Sequence, residues 1–96
     1  MSEAVYERYK DALRRGHVAA MHGRWEAALA AYVEAATIAP ERALPHASMG
    51  SVYLRSGRPR DALGAFDAAL ARSALDEAAL AGRASALGSL GRPDRR

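Results

Sequence analysis

The chain matches itself at an offset of 34 residues, and that match limits the fold more than any other feature. Gly16 falls on Gly50 and then on Ala84, and Gly23 falls on Gly57 and then on Gly91. Ala28 falls on Ala62, Leu29 on Leu63, Tyr32 on Phe66 and Ala35 on Ala69. The loop Gly57-Arg58-Pro59 returns as Gly91-Arg92-Pro93. Small residues repeat with small ones, and aromatic with aromatic. A period of roughly 20–50 residues marks an array whose units bury their apolar faces against one another.

Each unit reads as two helices. In the second unit a first helix is expected from about Leu44 to Ser56, with Met49, Gly50, Tyr53 and Leu54 inward at helical spacing. Gly57 closes it, because glycine reaches the left-handed backbone at no steric cost. Pro59 opens the second helix, where its missing N–H is harmless, and Ala62, Leu63, Phe66, Ala69 and Leu70 share one face. Asp76 can cap the helix that follows. In the first unit the stripe Val5, Tyr9, Ala12, Gly16, Ala19, Ala20 predicts one long helix from an N-cap at Ser2 to His22. A second helix runs from Trp25 to Ala39, with Ala28, Leu29, Tyr32 and Ala35 inward, and Pro40 stops it. The third unit offers a helix from Glu77 to Leu90 with Leu80, Ala84 and Leu87 inward. Gly91-Arg92-Pro93 then looks like the opening of a further helix. Gly16, Gly50, Ala28, Ala62, Ala35 and Ala69 let helix backbones approach, and Tyr32, Phe66 and Tyr53 fill the holes opposite.

This pattern resembles the tetratricopeptide repeat: Met49-Gly50, Tyr53, Ala62, Phe66 and Ala69 in the second unit, and Gly16, Ala28, Tyr32, Ala35 and Pro40 in the first. The third supplies Leu80, Ala84 and Leu87. The resemblance implies an all-α, right-handed superhelical array of antiparallel helix pairs, with about two and a half repeats. It divides a single domain, 1–96, into repeats 9–42 and 43–76, a partial repeat 77–96 and a helix extension 2–8. Departures occur at Arg15, where the family has leucine, at Ala12 and His46, where a tryptophan-like residue is common, and at Ala74, which replaces a closing proline. His46 is expected to weaken packing between the first two units.

Arrays of this type bind partners on the inner surface, which the first helix of each unit lines. Carried over by position, that surface holds Lys10, Leu13, Arg14, His17, Ala20 and Met21 from the first unit. It continues through Leu44, Ala47, Ser48, Ser51, Leu54 and Arg55, and then through Ala78, Ala81, Gly82, Ser85 and Ser89. Leu13, Met21 and Leu54 supply apolar contact, and Arg14, His17 and Arg55 supply polarity. Such a lining suits an extended or helical peptide with apolar anchors and an acidic group. Relatives that clamp the C-terminal EEVD tail of heat-shock chaperones use lysine, asparagine and arginine at positions that here hold Leu13, His17, Ser48, Ala78 and Gly82. The resemblance therefore implies a protein or peptide partner, but not an EEVD-type tail. The helix 77–90 has a second face, Leu87 and Leu90 with Ala86, that needs a cover. A second copy of the chain would supply one, which makes a homo-oligomer the alternative reading.

Composition narrows the rest. Without cysteine there is no disulfide, thiolate metal site or cysteine nucleophile. His17 and His22 are five apart, off the four-residue spacing of paired helix ligands, and no acidic partner completes a metal set with His46. No serine sits in a nucleophile motif, and no glycine-rich loop follows a strand. Neither an enzyme nor a cofactor is expected. The net charge is +3, yet the signs are interspersed, thirteen of the fourteen basic residues are arginine, and only Arg92-Pro93-Asp94-Arg95-Arg96 is locally dense. Nucleic acid is therefore a weaker fit than protein. No run reaches the roughly 20 apolar residues of a membrane span, and the acidic start is unlike a secretion signal. A cytoplasmic protein is expected.

Overall fold

The computed structural model describes residues 1–91. Arg92 to Arg96, with the expected opening of a further helix, lie outside the described residues. Five helices follow in order: α1 Glu3–Met21, α2 Trp25–Ile38, α3 Leu44–Arg55, α4 Pro59–Arg72 and α5 Glu77–Leu90. No strand occurs among the described residues. The predicted boundaries hold to within a residue, because local signals set them. The Ser2 hydroxyl accepts the Val5 N–H at 3.2 Å, and the Asp76 carboxylate accepts the Ala79 N–H at 2.8 Å. Gly23 and Gly57 close α1 and α3 with φ of 70° and 79°.

Packing alternates along the chain. α1 lies on α2, α2 on α3, α3 on α4 and α4 on α5, and α3 also touches α5 directly. The result is two layers, α1, α3 and α5 in one and α2 and α4 in the other, in a body of 50 × 29 × 16 Å. One core cluster joins Tyr9, Ala12, Leu29, Tyr32, Met49 and Val52, and a second joins Ala47, Ala62, Phe66, Ala69, Ala79 and Ala86.

The repeated glycines are aromatic seats. A Cβ at Gly16 would stand 2.5 Å from Tyr32 Cε1, and one at Gly50 would stand 2.5 Å from Phe66 Cε1. Gly82 of α5 closes on Phe66 from the other side. The expected partnership of small and aromatic residues is therefore present at Tyr32 and Phe66, though not at half-buried Tyr53, with Gly82 as a member the repeat alignment did not single out.

Two expectations about buried faces need correction. In α3 the deepest side chains are Val52 and Pro45, while Tyr53 and Leu54 are only partly buried. A helix held between α2 and α4 has two buried faces, and a single stripe describes one of them. In α5 the buried residues are Ala79 and Ala86, which meet α4. Ala84 is exposed, and Leu80 and Leu87 are 46% and 43% exposed. Their side of α5 has no neighbour among the described residues. Ala86 belongs to the covered face, not to the open one.

Candidate functional site

The layer of α1, α3 and α5 carries the residues singled out from the sequence, and the structure treats them unequally. Met21, Ser51 and Ser85 are exposed, Met21 to 75%. Arg14 is exposed and paired with Asp11 on its own helix. Lys10 pairs with Glu7 at 3.2 Å and lies 5.0 Å from the centre of the Tyr6 ring. Leu13 is buried at 8%, and Leu54 is partly buried against the second core cluster.

Two of the polar candidates are engaged in holding helices together. His17 Nδ1 lies 2.6 Å from the Tyr32 hydroxyl. Burial raises the Tyr32 phenol above its ordinary value, and the nearby Ser48 side chain partly offsets this. Arg55 donates to the Ala20 carbonyl at 3.2 Å and stands 5.1 Å over the Trp25 ring, so it latches α3 to the end of α1. Sequence spacing placed these side chains on the right layer but could not show that their polar atoms were already occupied.

A concavity lies at one edge of this layer. It is a groove of about 580 Å³ lined by Tyr6, Tyr9, Lys10 and Leu13 of α1, by residues 41–43 before α3 and Leu44 at its start, and by Ser73 and Asp76 before α5. A smaller hollow of about 520 Å³ adjoins it and shares Tyr6 and Arg42. The tyrosine rings are nearly parallel, with centres 6.3 Å apart. Arg42 stands over both, at 5.6 Å from Tyr6 and 5.3 Å from Tyr9. Burial pushes the Tyr9 phenol upward, and Arg42 opposes that shift. Of the residues placed on the inner surface from the sequence, Lys10, Leu13 and Leu44 reach this groove. Tyr6 and Arg42 were missed. The signal at hand was the spacing of Tyr6, Tyr9 and Lys10 on one side of α1; Arg42 sits in a loop, where helical periodicity says nothing.

Leu87 and Leu90, singled out for self-association, are 43% and 37% exposed on α5. Beyond Glu77 the only charge on α5 is Arg83, which is drawn back to Asp67 at 2.7 Å. Among the described residues no group of acidic and histidine side chains could hold a metal ion, and no helix is long and apolar enough to cross a membrane.

Alternating helix pairs with glycine-seated aromatics define an all-α repeat array of the tetratricopeptide type. Comparison with solved structures agrees: the chain is similar to the TPR domain of Arabidopsis OM64, with a TM-score of 0.85 at 20% identity over 92% of this chain and 73% of that one. At that identity the likeness carries the fold alone. The sequence matches no family model and no curated protein.

Proposed function

We propose that the chain is a non-catalytic, cytoplasmic binding module that takes an extended or helical peptide of another protein on the α1–α3–α5 layer. The division into repeats 9–42, 43–76 and 77–96 behind the extension 2–8 belongs to the same reading. What supports it is an exposed, largely unpaired strip, Leu44, Ser51 and Ser85, running out from the groove beside Lys10 and Leu13. The chemistry of the strip suits side-chain recognition, and an EEVD-type tail should not bind because Leu13, Ala78 and Gly82 offer it no cation. Panning a peptide library against the protein tests this. Bound peptides should be displaced by Ser51→Tyr and indifferent to Ala30→Tyr on the opposite layer. Equal sensitivity to both would place the binding surface elsewhere.

A second reading rests on the open side of α5. Leu80, Ala84 and Leu87 on its exposed surface carry no charge, and Arg83 beside them is drawn to Asp67, so this side offers an apolar patch to a second copy of itself. Two α5 helices packed antiparallel would bring Leu80 of one copy near Leu87 of the other, with Ala84 permitting close approach. Light scattering over a concentration series should then show a dimer that Leu87→Glu dissociates. A monomer at every concentration sinks this reading and leaves the first untouched.

A further inference from the structure

Six of the ten arginines among the described residues are committed. Arg14, Arg15, Arg58 and Arg83 donate to carboxylates, and Arg55 and Arg72 donate to backbone carbonyls. Arg42 differs. Two tyrosine rings fix its guanidinium from one side, at 5.6 and 5.3 Å. Its nearest carboxylate, Glu41, stays 3.9 Å away, beyond hydrogen-bonding range. The rings thus hold a cation in place while its guanidinium has no hydrogen-bond acceptor among the described residues. Arg42 lines a groove whose remaining lining includes Lys10, Leu13, Ala43 and Leu44. The other carboxylate of the groove, Asp76, is committed to capping α5.

We propose that Arg42, stacked on Tyr6 and Tyr9 with Lys10 beside it, is an acceptor site for a side-chain carboxylate within an extended peptide. An aliphatic neighbour of that residue lies over Leu13 and Leu44. The inference rests on the reading of the chain as a peptide-binding module and adds to it a position and a specificity. A guanidinium already held over two rings loses less freedom on binding than a solvated one, and it presents paired donors to the two carboxylate oxygens. Stacking leaves those donors free, whereas an ion pair would have used them. The partner is a segment carrying Asp or Glu internally, because the groove continues past Arg42 into the hollow lined by Ser2 and Glu3, which gives a chain room to run on.

A random library of acetylated, amidated heptapeptides supplies the probes, and blocked termini remove any C-terminal carboxylate. Selected peptides are expected to carry Asp or Glu next to an aliphatic residue. By fluorescence anisotropy, Arg42→Gln should weaken them about tenfold, as should changing the peptide's acid to its amide, with no further loss when both changes are combined. Tyr6→Leu, which removes a stacking ring but keeps the charge, should give a smaller loss. Glu41→Gln should tighten binding by removing the competing carboxylate. The affected loss should shrink as salt is raised. Arg42 and Tyr6 are exposed, and circular dichroism checks that the variants fold. Peptides displaced by Ser51→Tyr but without acid enrichment, or unaffected by Arg42→Gln, would overturn this inference alone. A library yielding no binder would overturn it together with the binding-module reading.

Discussion

Tyr32 and Phe66 occupy the same place in successive helix pairs, yet they are held differently. Tyr32 lies against Gly16 and reaches His17 with its hydroxyl. Phe66 lies between Gly50 and Gly82, with no polar atom to satisfy. Ser48 and Gly82 are counterparts at the repeat spacing. With glycine there, α5 comes into direct contact with α3, an approach that α1 and α3 do not make to the same extent. One seat is tied by a hydrogen bond and stands open. The other is closed by shape alone. The same repeat can therefore be stapled either by polar bonds across a wider gap or by dispersion across a narrow one.

Breaking the dry seat should cost most. Phe66→Ala empties a site that is 3% exposed and should destabilise the domain by roughly 3–5 kcal/mol, measured by urea unfolding. Crowding it comes next. Gly50→Ala drives a methyl into Phe66 and should cost roughly 1–3 kcal/mol. Gly64→Ala, where a Cβ meets nothing within 4 Å, should instead stabilise α4 by roughly 0.5–1 kcal/mol. Equal effects at the two glycines would mean that the seat is not tight. The wet seat should yield less: Tyr32→Phe removes the hydroxyl at a cost of about 1 kcal/mol.

A last contrast is in pH. Ala12 in the first pair corresponds to His46 in the second. Burial, with a smaller contribution from Arg72, pushes the His46 imidazole below its ordinary value of 6.5. The unfolded chain therefore binds this proton more readily than the folded one. The associated stability is complete above the unfolded value and declines as the pH falls below it. His46→Gln should flatten the urea midpoint against pH between neutral and mildly acidic conditions. A slope unchanged by that substitution would assign the effect to another group.

The two ends of the array show a similar division. At the first end, Arg15 stands where the second repeat has Met49, and it bonds Asp11 at 2.9 Å and Glu34 at 2.8 Å. That network holds the Asp11 carboxyl below the usual carboxylate range and leaves a polar face. On α5 the equivalent of a covered face is Leu80, Ala84 and Leu87, which carry no charge and meet no neighbour among the described residues. The substitution of Arg15 for an apolar residue was readable as a departure from the repeat. Its two acceptors, one of them on α2, were not.

The helices, their caps, their order and the pairing of Gly16 with Tyr32 and Gly50 with Phe66 were determined by the sequence alone. These depend on contacts within a turn or at one fixed period, so spacing carries them. Tertiary structure decided what spacing cannot encode. It assigned Ala79 and Ala86, not Leu80 and Ala84, to the covered side of α5, because only the position of α4 distinguishes two apolar faces. It turned Arg55 into a latch, because Ala20 and Trp25 come near only when α3 docks. It brought Arg42 over Tyr6 and Tyr9 across more than thirty residues of chain, because a loop between layers has no period and its place is set by the helices it joins.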